Sequence, residues 1–188
     1  MTIDLNRNIL VILLVILSSI CILGIRKKIY KMLGICFSFY IVCLAKIVFF
    51  PIYIPSKEQV LRFKNAMPED FCMVQYVPLK TIGVTLQSSN WLLQIGGNIV
   101  LLVPLVVFAG VFLDYKKKYS VAKTVVIGVG VSILIETIQG IMNYMIQYPN
   151  RIADIDDILL NSFGVLIVAV VYWLVRKIYM MQKCTEMK

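Results

Sequence analysis

Five runs of about 20 mostly apolar residues, each bounded by charge or turn signals, constrain this 188-residue chain more than any other feature. A helix rises about 1.5 Å per residue and must cross a hydrocarbon core of roughly 30 Å, so about 20 apolar residues suffice to span a bilayer. The runs lie at 9–25, 32–54, 91–113, 121–144 and 158–178. They predict an all-α, polytopic membrane helix bundle of about five transmembrane helices. The whole chain, 1–188, then forms a single integral membrane domain with an extracytoplasmic segment at 55–90. Composition agrees: 60% of residues are hydrophobic and 15% charged, against roughly 45–50% and about 25% in ordinary globular domains. A water-soluble fold of this size would lack a polar skin.

The net charge of +9 does not mark a nucleic-acid binder. Such proteins gather Lys and Arg on a polar face, whereas here the cations punctuate apolar runs. Their distribution is one-sided: Arg26, Lys27, Lys28 and Lys31, then Lys116, Lys117, Lys118 and Lys123, then Arg176, Lys177, Lys183 and Lys188, opposed only by Asp114 and Glu186. Basic residues near span ends mark the cytoplasmic side, which puts the N-terminus outside and the C-terminus inside. Lys116, Lys117 and Lys118 read as topology signals and anionic-lipid contacts. The cations after the first run make it a retained anchor rather than a cleaved leader. In the 55–90 segment an amphipathic helix is expected around Glu58–Ala66, with Phe63, Phe71 and Tyr76 as interfacial anchors.

The chain has no His, and its cysteines, Cys21, Cys36, Cys43, Cys72 and Cys184, form no CxxC pair. Imidazole bases, His-based triads and the usual zinc sites are thereby excluded, and a disulfide framework is not expected.

Lys46 and Glu136 are the two charges inside the spans away from the basic span ends. An ionisable residue there is costly enough to mark a candidate functional site. Counted at the helical rise, Lys46 lies about 21 Å from Met32, Glu136 about 22 Å from Val121 and Asn98 roughly 10 Å from Trp91, all in the outer half. Helical phase aligns Gly128, Ser132, Glu136, Gln139 and Asn143 in the fourth run, Asp157, Asn161 and Gly164 in the fifth, and Gln94 with Asn98 in the third. These faces predict a polar, outward-open cavity lined by Asn98, Glu136, Gln139, Arg151, Asp154, Asp157 and Asn161, with Lys46 a contributor. Ordinary explanations compete. Gln94, Gln139 and Asn143 each suit helix packing; Glu136 suits a buried ion pair with Lys46 or Arg151; Lys46 suits snorkelling; Asp154 and Asp157 suit capping of the fifth helix; and Asp156 is expected to face water.

Glu136-Thr-Ile-Gln139, followed by Asn150-Arg151-Ile-Ala-Asp154-Ile-Asp156-Asp157-Ile-Leu-Leu-Asn161-Ser-Phe-Gly164, resembles the signature of the VanZ-like family, named for a protein associated with teicoplanin resistance. Gly97-Asn98-Ile-Val-Leu-Leu-Val-Pro104-Leu resembles its third-span motif, and Val77-Pro78-Leu79-Lys80-Thr81-Ile82 the proline segment before it. The likeness covers roughly 76–170. It implies a bacterial plasma-membrane protein of the cell envelope that reduces sensitivity to lipoglycopeptides, with Asn98, Pro104, Glu136, Gln139, Arg151, Asp154, Asp157, Asn161 and Gly164 as motif positions.

Two functions of different class remain open. In the first, a non-enzymatic protein binds a lipid-linked cell-wall precursor or the antibiotic in the outer cavity, Arg151 meeting a phosphate or carboxylate bidentately. In the second, an intramembrane enzyme acts on a lipid-linked phosphate or sugar, with Glu136 as catalytic base and Asp154 and Asp157 holding a divalent cation such as Mg²⁺. Membrane lipid is a partner under either. A proton-coupled transporter using Glu136 has less support, because five short spans leave little machinery for alternating access.

Overall fold

The computed structural model describes residues 1–25, 27–68 and 71–186; Arg26 and Lys188 of the expected basic set lie outside them. The chain runs β1 (Thr2–Ile3), α1 (Arg7–Gly24), α2 (Lys28–Phe49), β2 (Ile52–Tyr53), α3 (Lys57–Ala66), β3 (Val74–Gln75), α4 (Lys80–Thr85), α5 (Trp91–Leu101), α6 (Val103–Tyr115), α7 (Val121–Ile146), β4 (Ala153–Asp154) and α8 (Ile155–Glu186). The protein is an all-α, multi-pass helix bundle. Four helical stretches are long and apolar enough to cross a membrane: α2, the α5–α6 pair, α7 and α8. The first expected span, α1, is apolar but shorter.

The ends of these helices follow local chemistry. The second run was expected to continue to residue 54, but α2 stops at Phe49, two residues before Pro51, which has no N–H to continue the ladder. The third run is broken at Leu102 because Pro104, in the first turn of α6, cannot donate to a preceding carbonyl. The fifth run extends beyond the expected 158–178 at both ends, to 32 residues, because acids at the start suit the helix N-terminus and the Lys-, Met- and Gln-rich C-terminal flank is made of good helix formers. The expected amphipathic helix is α3. Ser56 Oγ accepts from Gln59 N and Gln59 Oε1 accepts from Ser56 N, a capping box that fixes its start.

By internal packing the chain forms two compact units, Met1–Tyr76 with Ile135–Ala153, and Val77–Leu134 with the chain from Asp154 onward. In the first unit α1 packs along α2, and β1 pairs antiparallel with β2 in the register Thr2↔Tyr53, Ile3↔Ile52. Val42, Leu44, Val48 and Ile135 are among its buried residues. In the second unit α8 packs on α5 and α6 around Leu102, Val106, Val165 and Ala169. Gly128 lets α7 approach closely there, since a Cβ at that position would stand 2.7 Å from both Val165 methyl carbons. Large apolar side chains remain exposed along the spans, among them Leu93, Val126, Leu166 and Val170. So much apolar surface is stable only where hydrocarbon is the solvent.

Candidate functional site

The residues expected to line one cavity divide between the two units: Lys46, Glu136, Gln139 and Arg151 belong to the first, and Asn98, Asp154, Asp157 and Asn161 to the second.

In the first unit, Glu136, Gln139 and Asn143 share one face of α7 and are all buried. Gln139 Nε2 donates to Val48 O at 3.0 Å. That carbonyl sits in the last turn of α2, where no intrahelical donor follows, so the glutamine satisfies a helix end. Asn143 organises the turn after α7. Its Nδ2 donates to Arg151 O, and its Oδ1 accepts from Asn150 N at 3.0 Å. Asn150 in turn pairs with both backbone groups of Tyr53, accepting from its N at 2.6 Å and donating to its O at 3.0 Å. Gln147 adopts the left-handed region, φ 56°, and accepts from Lys64 Nζ at 2.8 Å, which ties α3 to the same turn.

Two features stand out on this pinned turn. Arg151 is exposed, and among the described residues its side chain makes no ion pair. Beside it runs an aromatic ladder: Phe71 against Phe63 with centroids 5.6 Å apart, Phe63 against Tyr148 at 5.0 Å, and Tyr148 against Tyr53 at 5.6 Å.

Of the two readings of Lys46, ion-pair partner of Glu136 or snorkelling cation, its contacts fit the second. Its Nζ donates to Leu5 O at 2.9 Å and meets Asp4 Oδ1 at 3.5 Å, both side chains being nearly half exposed. Near the C-terminal end of α2 the flexible stem reaches groups that keep water contact, which avoids the desolvation cost of a buried pair.

In the second unit three neighbouring acids have three different partners. Asp154 precedes α8 and accepts from Asp156 N at 2.9 Å, the geometry of an N-cap. Asp157 accepts from Asn98 Nδ2, joining α8 to α5. Asp156, expected to face water, is instead 1% exposed; its Oδ1 accepts from Leu79 N at 2.6 Å and its Oδ2 from Ile82 N at 3.0 Å. The carboxylate thus holds the start of α4, where Leu79 has φ 67°. Nothing in the sequence marks that turn, because a left-handed leucine carries none of the Gly or Asn signature of such positions. Asn161, also wholly buried, donates to Ser132 Oγ at 3.1 Å.

These contacts bear on metal chemistry. Asp154 and Asp157 each present an oxygen to an N–H donor, and among the described residues no group of three or more Asp, Glu, Cys or His is placed to hold a metal ion.

No curated protein and no solved structure matches the chain. The family model described as VanZ/LLP1 matches residues 37–176, which contain every motif position from Asn98 to Gly164. The apolar spans, the ordered motif and this match over most of the chain agree: it belongs to the VanZ/LLP1 family.

Proposed function

We propose that the protein is a bacterial plasma-membrane component of the cell envelope that lowers sensitivity to teicoplanin-type lipoglycopeptides by binding a lipid-linked cell-wall precursor or the antibiotic, without catalysing its turnover. The observation that carries this reading is Arg151, an exposed guanidinium with no ion pair among the described residues, on a turn held by Asn143 and Asn150. A guanidinium carried on a held backbone can meet a phosphate or carboxylate with two parallel hydrogen bonds. The ladder of Phe71, Phe63, Tyr148 and Tyr53 supplies apolar faces for the lipid or sugar part of such a ligand. Asn143 and Asn150 position the turn, and Gln139 closes the end of α2. Asp154 and Asp157 act as structural acceptors, which favours binding over metal-dependent turnover.

Expressed in a susceptible host, Arg151→Ala is expected to abolish the resistance phenotype at an unchanged membrane level, and Arg151→Lys to restore part of it. Loss of a charge-assisted pair worth about 1.5–3 kcal/mol weakens ligand binding by about 10- to 100-fold. Full resistance in the alanine variant would remove Arg151 from the site, and turnover of a lipid-linked precursor by purified protein would replace binding with catalysis.

The orientation of this reading is outside for the 55–90 segment and cytoplasmic for the C-terminus. Cys72 and Cys184 are both exposed. In single-cysteine variants an impermeant maleimide added to intact cells is expected to label Cys72 and to reach Cys184 only after permeabilisation; the reverse pattern inverts the topology.

A further inference from the structure

The basic end of the second unit carries a side-chain cluster that the resistance reading does not use. Arg176 Nε donates to Asp114 Oδ1 at 2.6 Å, and Tyr172 Oη donates to the other oxygen of that carboxylate at 2.9 Å. The guanidinium lies over the Tyr119 ring, 4.7 Å from its centroid, and the Tyr119 and Tyr172 rings are 5.4 Å apart. Arg176 is thereby held from one edge and one face. Among the described residues the hydrogen bond of its guanidinium is made through Nε, leaving the two terminal nitrogens, four N–H donors, directed elsewhere.

Depth places this cluster at the level of lipid headgroups. Measured from Ile155 along α8, Trp173 lies about 27 Å and Arg176 about 31 Å away, at the far boundary of a hydrocarbon core of about 30 Å. Lys177 Nζ lies over the Trp173 ring at 5.4 Å, and Trp is the residue that commonly settles at this boundary. Trp173, Arg176, Lys177, Met180 and Met181 line one open groove along the helix, so two cations stand beside a continuous apolar surface. Asp114 offsets one positive charge, but Lys116, Lys117, Lys118 and Lys123 follow it closely in the chain and leave this end strongly basic. The Tyr119 hydroxyl is buried without a hydrogen-bond partner among the described residues. Burial first, and then the Asp114 carboxylate, hold that phenol above its usual range against the opposing Arg176, so it remains a neutral O–H donor.

We propose that Arg176 and Lys177 form a binding site for the phosphate of an anionic phospholipid, whose acyl chains run past Trp173 toward the hydrocarbon core. A pre-oriented guanidinium gives bidentate geometry to a phosphate that a solvated lysine does not, and the surrounding lysines raise the local concentration of acidic headgroups.

The test uses the full chain purified in a nonionic detergent, with bound lipid counted by native mass spectrometry during titration with phosphatidylglycerol, phosphatidylcholine or inorganic phosphate. The expected result is one saturable phosphatidylglycerol adduct at least about tenfold tighter than phosphatidylcholine, weakened about tenfold by Arg176→Gln. Arg176→Gln also deprives Asp114 of its cation and can fail to fold; Lys177, which lies over the Trp173 ring, makes no ion pair among the described residues, and Lys177→Gln is expected to weaken the adduct severalfold in a folded protein. Lys183→Gln removes an equal charge about 42 Å along α8, beyond headgroup depth, and is expected to change binding less than twofold. Equal retention of the two lipids, an unaltered adduct in Lys177→Gln, or a Lys183→Gln effect as large as that of Arg176→Gln would each overturn the site. Displacement of the lipid by inorganic phosphate at comparable affinity would overturn the lipid assignment in favour of a free anion.

Discussion

Gly164→Ala is expected to prevent normal packing of the second unit and to cost about 3 kcal/mol or more, at the upper end of what overpacking does. A Cβ added at Gly164 would stand 1.9 Å from Ile99 O and 2.9 Å from Ile99 C. Both atoms are backbone, so no rotamer change removes the clash, and α5 and α8 must move apart. Separation weakens two further features, the Asn98–Asp157 hydrogen bond one residue before Ile99 and the packing around the fully buried Val165. Close approach of this kind is how helices associate in lipid, where hydrophobic burial between them gives little driving force. Thermal unfolding of the purified variant in detergent reads the effect as a fall in Tm of several degrees or loss of the monodisperse species. Gly97→Ala is the matched control, since a Cβ there meets nothing within 4 Å. It should be neutral or stabilise the helix by up to about 1 kcal/mol. Equal behaviour of the two variants would show that the α5–α8 approach is not needed.

Asp156→Ala is expected to be the most damaging change among the acids, although Asp156 has no exposed surface to offer a ligand. Its two oxygens accept from Leu79 N and Ile82 N, and with the carboxylate gone both N–H groups at the start of α4 lose their acceptor in a part-buried setting. Hydrogen bonds to a charged group contribute about 1.5–3 kcal/mol each, and an unsatisfied buried donor adds its own desolvation cost, so a loss of about 3 kcal/mol is expected. Most of it is local to α4. Hydrogen exchange should accelerate at Leu79 and Ile82 by about a hundredfold, while amides in the middle of α7 stay protected. Asp156→Asn, which keeps one acceptor, should fall between. Unchanged exchange at Ile82 in the alanine variant would mean that another group holds this turn.

Much of the fold was legible because it depends on local chemistry. The apolar runs, the amphipathic helix around Glu58–Ala66 and the polar stripe on α7 are set by hydropathy and helical phase, and helices formed in each of those places. Discrepancies arose at helix ends, where a single proline at 51 or 104 outweighs a run of apolar neighbours. The candidate site was legible as a set of residues but not as a set of contacts. Helical phase showed that Gln139 and Asn143 face the same way; it did not show that one closes the end of α2 and the other the turn to Arg151. Asn150, quoted only as part of a motif, proved to be the residue that ties this turn to Tyr53.

The sequence by itself determined that the chain lives in a membrane, where its helices lie and which family it joins, because bilayer insertion, helix periodicity and motif order are properties of consecutive residues. Only the tertiary structure decided which partner each polar group has. Asp154, Asp156 and Asp157 are nearly adjacent in the chain, yet one caps its own helix, one holds a turn 77 residues away and one reaches Asn98. Lys46 likewise meets Asp4, 42 residues earlier. The physical reason is that buried or membrane-embedded polar groups must find a donor or acceptor wherever packing brings one, and packing depends on how whole helices approach, at points such as Gly164, rather than on the phase of any one of them.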